Sequence, residues 1–186
     1  KLLRFHAFLA GRIGSSTTNR FASNLLSTWD YFYNSGGWDD YPPQVEVHRT
    51  GRTGEVTPVC TTAHAVRTAK ILRAAAAELG MASDVDELDA DIARFTRALE
   101  AHAYDPESGY FSYVVHDETG RPAGALLHET GANYNMGLDG AYPLVSGICT
   151  EEQEERLIGY LTSTAHLWTD IGLSTVDRSA PYYRLD

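Results

Sequence analysis

The sequence predicts a mainly α-helical fold, with helix hairpins joined on one side by long loops and a small β-hairpin near residues 110–125. Two long segments, residues 59–79 and 83–103, repeat their apolar residues with helical spacing. Aromatic residues make up 11% of the chain, and most of them lie outside these two segments, between the helices. No alternation of strands and helices typical of a parallel sheet is present.

The first predicted helix covers residues 19–33. Its apolar side chains recur every four positions from Phe21 to Tyr33, and the serine and threonines before it can supply the N-cap. Two glycines, Gly36 and Gly37, end it.

A loop rich in glycine, proline and threonine is predicted over residues 36–58, and loops longer than about 15 residues are usually functional.

The clearest predicted helix is residues 59–79, which ends before Gly80. The next is residues 83–103, with Ser83 as the N-cap and acidic residues near the positive end of the helix dipole. Its predicted buried stripe is Val85, Leu88, Ile92, Phe95 and Leu99.

The second half of the chain changes pattern after residue 103. Residues 104–124 are predicted to hold a β-hairpin that turns at Asp117 to Gly120. Residues 134–145 are read either as a helix or as a helix cut short by glycines and Pro143. A helix then begins after Thr150, whose spacing to Gln153 is that of a capping box. The tail after residue 167 reads as a loop.

The composition limits the classes of partner. The formal charge is −10, with 43% hydrophobic residues, so a nucleic-acid or anionic membrane partner is not expected and a neutral ligand is permitted. Cys60 and Cys149 lie far apart and are expected to be buried free thiols. No secretory signal is visible in the chain, and the sequence assigns neither a compartment nor an oligomeric state.

The stretch SGGWDDYPPQ, residues 35–44, carries the strongest chemical signal. Its glycines and prolines favour a stiff loop that presents Trp38, Asp39, Asp40 and Tyr41 in fixed directions. An indole supports the apolar face of a sugar ring, and a carboxyl pressed against an aromatic ring favours its protonated form, as a general acid requires. The alternative is a turn whose aspartates cap a helix and whose tryptophan fills the core.

Other candidates are single residues in loops. Glu129 is a candidate ligand hydrogen-bonder, and Asn133 and Tyr134 could line a polyol site or simply form a helix-entry loop. The histidines lack the spacing of a zinc motif, and neither a nucleophile elbow nor a phosphate or dinucleotide loop is present. No metal and no other cofactor is therefore predicted.

Two blocks resemble glycoside hydrolases of the trehalase and processing α-glucosidase group, families 37 and 63. SGGWDDYPPQ is similar to their SGxDDYPR-like or SGWD-like loop. The second block, GLDGAYPLVSGICTEEQEERLIGYLTSTAHLWTDIGLSTVDRSAPYYRLD, is similar to the stretch in which a T-x-x-Q helix precedes FWT-x-x-G and DP-x-Y segments. The resemblance touches most of the chain.

The resemblance implies an (α/α)6 barrel with the active site among the loops at one end. It implies hydrolysis of an α-linked glucoside or related glycoside with inversion, with Asp39 as general acid and Trp38, Asp40 and Tyr41 beside the sugar. The family's arginine after Tyr-Pro is replaced by Pro43-Gln44, and Gln44 is included among the expected substrate contacts.

The family continues past this block into a GYWRGxxW-like segment, and its general base is a glutamate beyond that. Residues 1–186 are therefore expected to form part of one (α/α)6 catalytic domain without an internal boundary. Glu129 is a possible base on chemistry alone. A non-catalytic carbohydrate-binding helical domain is the alternative, and a terpenoid-type barrel is disfavoured because prolines follow the acidic pair where a metal-binding helix should continue.

Overall fold

The computed structural model describes residues 1–28 and 40–184 and is mainly helical, with small sheets. The helices and strands, in chain order, are α1 (Leu2–Leu9), α2 (Pro42–Arg49), a short 3-10 turn (Arg52–Gly54), β1 (Val56–Thr57), α3 (Val59–Glu78), α4 (Ala82–His102), β2 (Val114–His116), β3 (Pro122–Ala125), α5 (Tyr142–Val145), α6 (Glu151–Thr162), β4 (Trp168–Thr169) and β5 (Gly172–Leu173).

The predicted pair of long helices is confirmed as the hairpin of α3 and α4. Phe95 and Leu99 of α4 are fully buried in the main core with Ala63 and Val66 of α3. The helix starts within one residue of the predicted position, but the N-cap is Met81 without a side-chain bond, so the predicted Ser83 cap is wrong. Burial of the apolar stripe therefore stabilises α4 more than its N-cap does.

A buried carboxylate fastens α1 to this hairpin. Asp91 of α4 accepts hydrogen bonds from His6, at 2.9 Å, and from Arg12 and Arg94. Burial alone would raise the pKa of Asp91, but these hydrogen bonds and cations hold it below its ordinary value. The cluster is structural, because each oxygen is occupied by a partner on α1, on α4 or on the segment after α1.

The helix predicted over residues 19–33 is wrong in its described part, residues 19–28, which are irregular. Their backbone groups find partners elsewhere: Leu26 donates its N–H to the Thr62 hydroxyl at 2.9 Å, and Ala22 donates to the Gly120 carbonyl at 2.9 Å. The apolar side chains Phe21, Leu25 and Leu26 are nevertheless buried. The four-residue spacing therefore predicted which side chains are buried but not the conformation of the backbone.

The loop predicted over residues 36–58 is also wrong in part, because α2 lies within it. Pro42 and Pro43 occupy the first helical positions, where a missing N–H costs nothing and the fixed φ of proline already suits a helix. The proline pair therefore starts a helix instead of ending a rigid loop.

The β-hairpin prediction is confirmed, and β1 adds a third antiparallel strand in the order β1-β2-β3. Of the alternatives for residues 134–145, the broken helix is observed, with only α5 regular. The capping box of α6 is confirmed, since Thr150 and Gln153 exchange both hydrogen bonds. The tail contains the β4–β5 hairpin in addition to loops.

None of the helices in the described part of the chain combines the length and apolar character that a membrane crossing requires.

Candidate active-site cleft

A cleft of about 800 Å³ opens where α2 begins. Three segments form its walls: the start of α2 with the two residues before it, the loop after β3, and the tail after β5. The lining residues are Asp40, Tyr41, Pro42, Val45, Glu46, His128, Glu129, Tyr134, Ser174, Thr175, Val176, Pro181, Tyr182, Tyr183 and Arg184.

The first wall is fixed by a buried tyrosine. Asp40 is exposed and has φ +53°, a left-handed conformation that aspartate tolerates better than most residues. Tyr41 follows it, is 3% exposed, and donates its hydroxyl to the side-chain oxygen of Asn135 at 2.8 Å. Burial, and next the charge of Asp139, raise the pKa of Tyr41 well above its ordinary value, so its phenol stays a hydrogen-bond donor.

Helix α2 divides its side chains between the cleft and the core. Pro42, Val45 and Glu46 line the cleft, whereas Gln44 and Val47 are buried. This division follows helical spacing, in which residues three and four apart share a face. The helix therefore positions Glu46 one turn beyond the start of the cleft.

An aromatic cluster connects the other two walls, the loop after β3 and the tail after β5. The rings of His128, Tyr134 and Tyr182 lie with centroids 4.9 to 5.4 Å apart, in edge-to-face or tilted arrangements. The Tyr182 hydroxyl accepts a hydrogen bond from the Met136 N–H at 2.7 Å and donates to the Asn133 carbonyl at 3.2 Å. The tail is thereby held against the loop after β3.

Tyr134 lies among charges of both signs. Its pKa is raised by burial, then by the negative charge of Glu46, with Glu129 adding to the effect and Arg49 and Arg184 opposing it. The cleft thus offers aromatic rings together with carboxylates and a guanidinium group, which suits a ligand that has apolar faces and many hydroxyl groups.

A layer of buried polar groups lies beneath the first wall. Gln44 donates from its amide nitrogen to the Tyr113 hydroxyl at 3.0 Å. Asp139 is fully buried, close enough for its charge to act on both Cys60 and Tyr113. Burial, and next the charge of Asp139, raise the pKa values of both Cys60 and Tyr113. Both groups therefore stay protonated and have packing roles, and Tyr113 also accepts the hydrogen bond from Gln44.

The tail is fixed by Asp177, which is fully buried. Its carboxylate accepts hydrogen bonds from the Tyr110 hydroxyl at 2.5 Å, from Ser179, and from the Nδ1 of His166 at 2.9 Å. Because Asp177 directly follows the cleft-lining residue Val176, this network determines the position of the third wall.

Comparison with known proteins gives the family. The profile of the mannosylglycerate hydrolase MGH1-like glycoside hydrolase domain matches residues 21–186, most of the chain. The chain belongs to the MGH1-like glycoside hydrolase family. No curated protein sequence matches it.

Two solved structures share the fold of this MGH1-like chain. One is the family 63 mannosylglycerate hydrolase of Thermus thermophilus in complex with glucose, with 21% identity and a TM-score of 0.52, over 76% of this chain and 30% of that one. The other is an uncharacterised conserved protein of the same organism, with 18% identity and a TM-score of 0.52, over 97% of this chain and 46% of that one. The chain thus spans less than half of each relative, and its helices correspond to part of the (α/α)6 barrel of family 63.

The MGH1-like chain brings four of the eight candidate site residues to the cleft: Asp40, Tyr41, Glu129 and Tyr134. Gln44 is directed at Tyr113, and its sugar contact stays a prediction. Asn133 is 3% exposed and bonds Ser108 and the backbone of Asn135, so its sugar contact likewise stays a prediction. Trp38 and Asp39 lie outside the described residues.

Sequence reasoning missed several cleft residues, most clearly Glu46, His128, Tyr182 and Arg184. A signal existed for Glu46, because reading Pro42 as a helix start would have placed Glu46 on the same face as Pro42. In the part of the chain that the structure describes, no cluster of three acidic, histidine or cysteine side chains could hold a metal ion.

Proposed function

We propose that the protein containing this chain is an inverting glycoside hydrolase that acts on an α-linked glucoside or a related α-glycoside. The observation that carries the proposal is the family match, together with a cleft whose lining begins at Asp40, the residue that follows Asp39 in the chain. Neutral hydroxyl-rich ligands fit its mixture of tyrosines, carboxylates and a single described arginine, Arg184.

Asp39 is proposed as the general acid, which donates its proton to the departing glycosidic oxygen. Trp38, Asp40 and Tyr41 are proposed to surround the sugar whose bond breaks. An inverting mechanism requires a second carboxylate about 6.5–9.5 Å away, with a water molecule between the two groups. That base is proposed to be a glutamate beyond residue 186, and Glu129, which lines the cleft, is the candidate within the chain.

The test uses the full-length protein with a panel of α- and β-linked disaccharides. The panel includes mannosylglycerate and glucosylglycerate, because the family name and one relative refer to mannosylglycerate. Asp39→Asn is expected to lower kcat at least about 100-fold on a glycoside with a poor leaving group. Asp170→Asn, which changes an exposed aspartate outside the cleft, is the matched control.

Proton NMR of the first product identifies the mechanism. An initial β-anomer from an α-glycoside supports inversion, and an initial α-anomer overturns it. Glu129→Gln separates the two candidate bases: a loss as large as that of Asp39→Asn assigns the base to Glu129, and retained turnover assigns it to a glutamate elsewhere. Near-normal turnover by Asp39→Asn would contradict the proposed acid, and sugar binding without hydrolysis would support a binding domain.

A further inference from the structure

The cleft does not end at Glu46. A side cavity of about 280 Å³ adjoins it and shares four lining residues with it: Glu46, His128, Glu129 and Tyr134. Its other lining residues are Arg49, Arg52, Leu126 and Leu127. The shared residues thus form the border between the two spaces, and the side cavity continues the cleft away from Asp40.

The direction of this continuation follows α2. Pro42 lines the cleft and Arg49 lines the side cavity, seven residues further along the helix. At 1.5 Å per residue this corresponds to about 10 Å along the helix axis. The cleft, at about 800 Å³, is large enough for a ligand of disaccharide size, so a ligand that also occupied the side cavity would need a third sugar ring.

The charges of the side cavity favour a neutral occupant. It is lined by two carboxylates and two guanidinium groups, so the formal charges cancel. Arg49 is held by Glu46 in a two-pronged pair, with Nε to Oε2 at 3.0 Å and Nη2 to Oε1 at 2.9 Å, and Arg52 contacts Glu55 at 3.2 Å. Because both cations are already paired, an anionic ligand gains little there.

The side cavity also offers the two kinds of contact that a sugar ring needs. Paired guanidinium and carboxylate groups present donors and acceptors side by side, which suits neighbouring hydroxyl groups. Leu127 is 53% exposed and, with Tyr134, provides apolar surface for a ring face.

We infer that the side cavity is a further sugar-binding subsite, which takes a third, neutral ring of an α-linked oligosaccharide whose first two rings, the reacting ring among them, lie in the cleft. This inference rests on the proposed function and adds to it a preference for substrates longer than a disaccharide. Four residues line the side cavity but not the cleft: Arg49, Arg52, Leu126 and Leu127. Arg52 and Leu127 are chosen for the test, because Leu126 is buried and Arg49 is paired with Glu46, which lines both spaces.

The test compares disaccharides with trisaccharides on the full-length protein: maltose with maltotriose, isomaltose with isomaltotriose, and α-mannobiose with α-mannotriose. For at least one pair, kcat/KM is expected to be about tenfold higher for the trisaccharide, the equivalent of one hydrogen bond to a charged group. Arg52→Gln, which removes the charge, and Leu127→Trp, which fills the cavity, should each lower this ratio towards one.

Arg121→Gln, at an exposed arginine that lines neither space, is the control and should leave the ratio unchanged. Equal kcat/KM values for all pairs in the wild type, or a ratio that neither cavity variant lowers, would overturn the subsite. If no glycoside is hydrolysed, the proposed activity is wrong. The subsite is then tested by calorimetry, which compares the dissociation constants of each disaccharide and its trisaccharide for the same set of variants.

Discussion

Tyr41 donates its hydroxyl at 2.8 Å to the side-chain oxygen of Asn135, a residue 94 positions further along the chain. The same Asn135 amide donates to the carbonyl of Phe111 at 2.8 Å, and its backbone N–H is held by Asn133. All four residues are buried. The wall of the cleft at the start of α2 is therefore fixed by a hydrogen-bonded chain that runs through the core.

Tyr41→Phe should lower the free energy of unfolding by about 1–3 kcal/mol, because it leaves the Asn135 oxygen buried without its donor. The measurement is urea denaturation followed by circular dichroism. Since Tyr41 also lines the cleft, hydrolysis of the preferred glycoside should slow as well.

Tyr142→Phe is the matched control for this change. It removes the same hydroxyl group from a tyrosine whose partners, Arg67 and His64, are exposed to solvent. Water can replace these bonds, so the loss should stay below about 0.5 kcal/mol. Equal losses in the free energy of unfolding from the two variants would show that the Tyr41–Asn135 hydrogen bond stabilises the protein no more than an exposed one does.

Thr150→Ala should destabilise the protein by about 1 kcal/mol through loss of the capping box at the start of α6. Thr162→Ala, at the other end of the same helix, removes a hydroxyl that bonds back to the Ile158 and Gly159 carbonyls and is expected to be neutral. Thermal unfolding of both variants gives the comparison. A Thr162 effect as large as the Thr150 effect would count against the cap.

The contribution of Asp177 should depend on pH. Burial alone would raise its pKa, but hydrogen bonds from Tyr110, Ser179 and His166 hold it below the ordinary value. As pH falls, the unfolded state therefore takes up this proton first. The stabilisation is complete above the ordinary carboxyl pKa of about 4 and is lost as pH falls through the lower folded value.

Asp177→Asn should consequently cost more free energy of unfolding at pH 7 than at pH 3, as measured by urea denaturation at both values. The exposed Asp170→Asn is the matched control and should change the free energy of unfolding at pH 7 by less than about 0.5 kcal/mol. A cost for Asp177→Asn that is the same at both pH values would contradict the charged hydrogen-bond network and leave only a packing role.

The sequence predicted those helices whose stability comes from one continuous apolar stripe. The pattern of Leu88, Phe95 and Leu99 fixed α4 to within one residue at each end, and Thr150 with Gln153 fixed the start of α6. Residues 19–28 failed because their hydrogen-bond partners, such as Thr62 and Gly120, are distant in the chain. Spacing within a segment carries no information about such partners.

In the candidate site too, the sequence predicted residues that a local pattern marks and missed those that distant contacts bring together. Asp40, Tyr41, Glu129 and Tyr134 were selected because their residue types stood out in loops, and all four line the cleft. The tail residues Tyr182 and Arg184 were missed, since the tail is brought to the cleft by long-range contacts, among them the buried Asp177 network and the hydrogen bonds of Tyr182. That network joins residues 67 positions apart, Tyr110 and Asp177, which no local pattern links.

Gly137→Ala should disturb two walls of the cleft at once. A Cβ at this position would lie 2.3 Å from the Thr175 carbonyl oxygen and 2.9 Å from the Tyr41 hydroxyl, and the first contact is backbone that cannot rotate away. We expect a loss of about 1–3 kcal/mol in the free energy of unfolding and weaker binding of the preferred glycoside.

Gly159→Ala adds the same methyl group but should change the free energy of unfolding in the opposite direction. It lies in α6 with open space around the new Cβ, so it should stabilise the protein by about 0.5–1 kcal/mol through helix propensity. Denaturation and calorimetric sugar titration of both variants make the comparison. Because the two changes add the same group, unaltered stability and affinity in Gly137→Ala would mean that Thr175 and Tyr41 do not approach this glycine, and the cleft would have to be built differently.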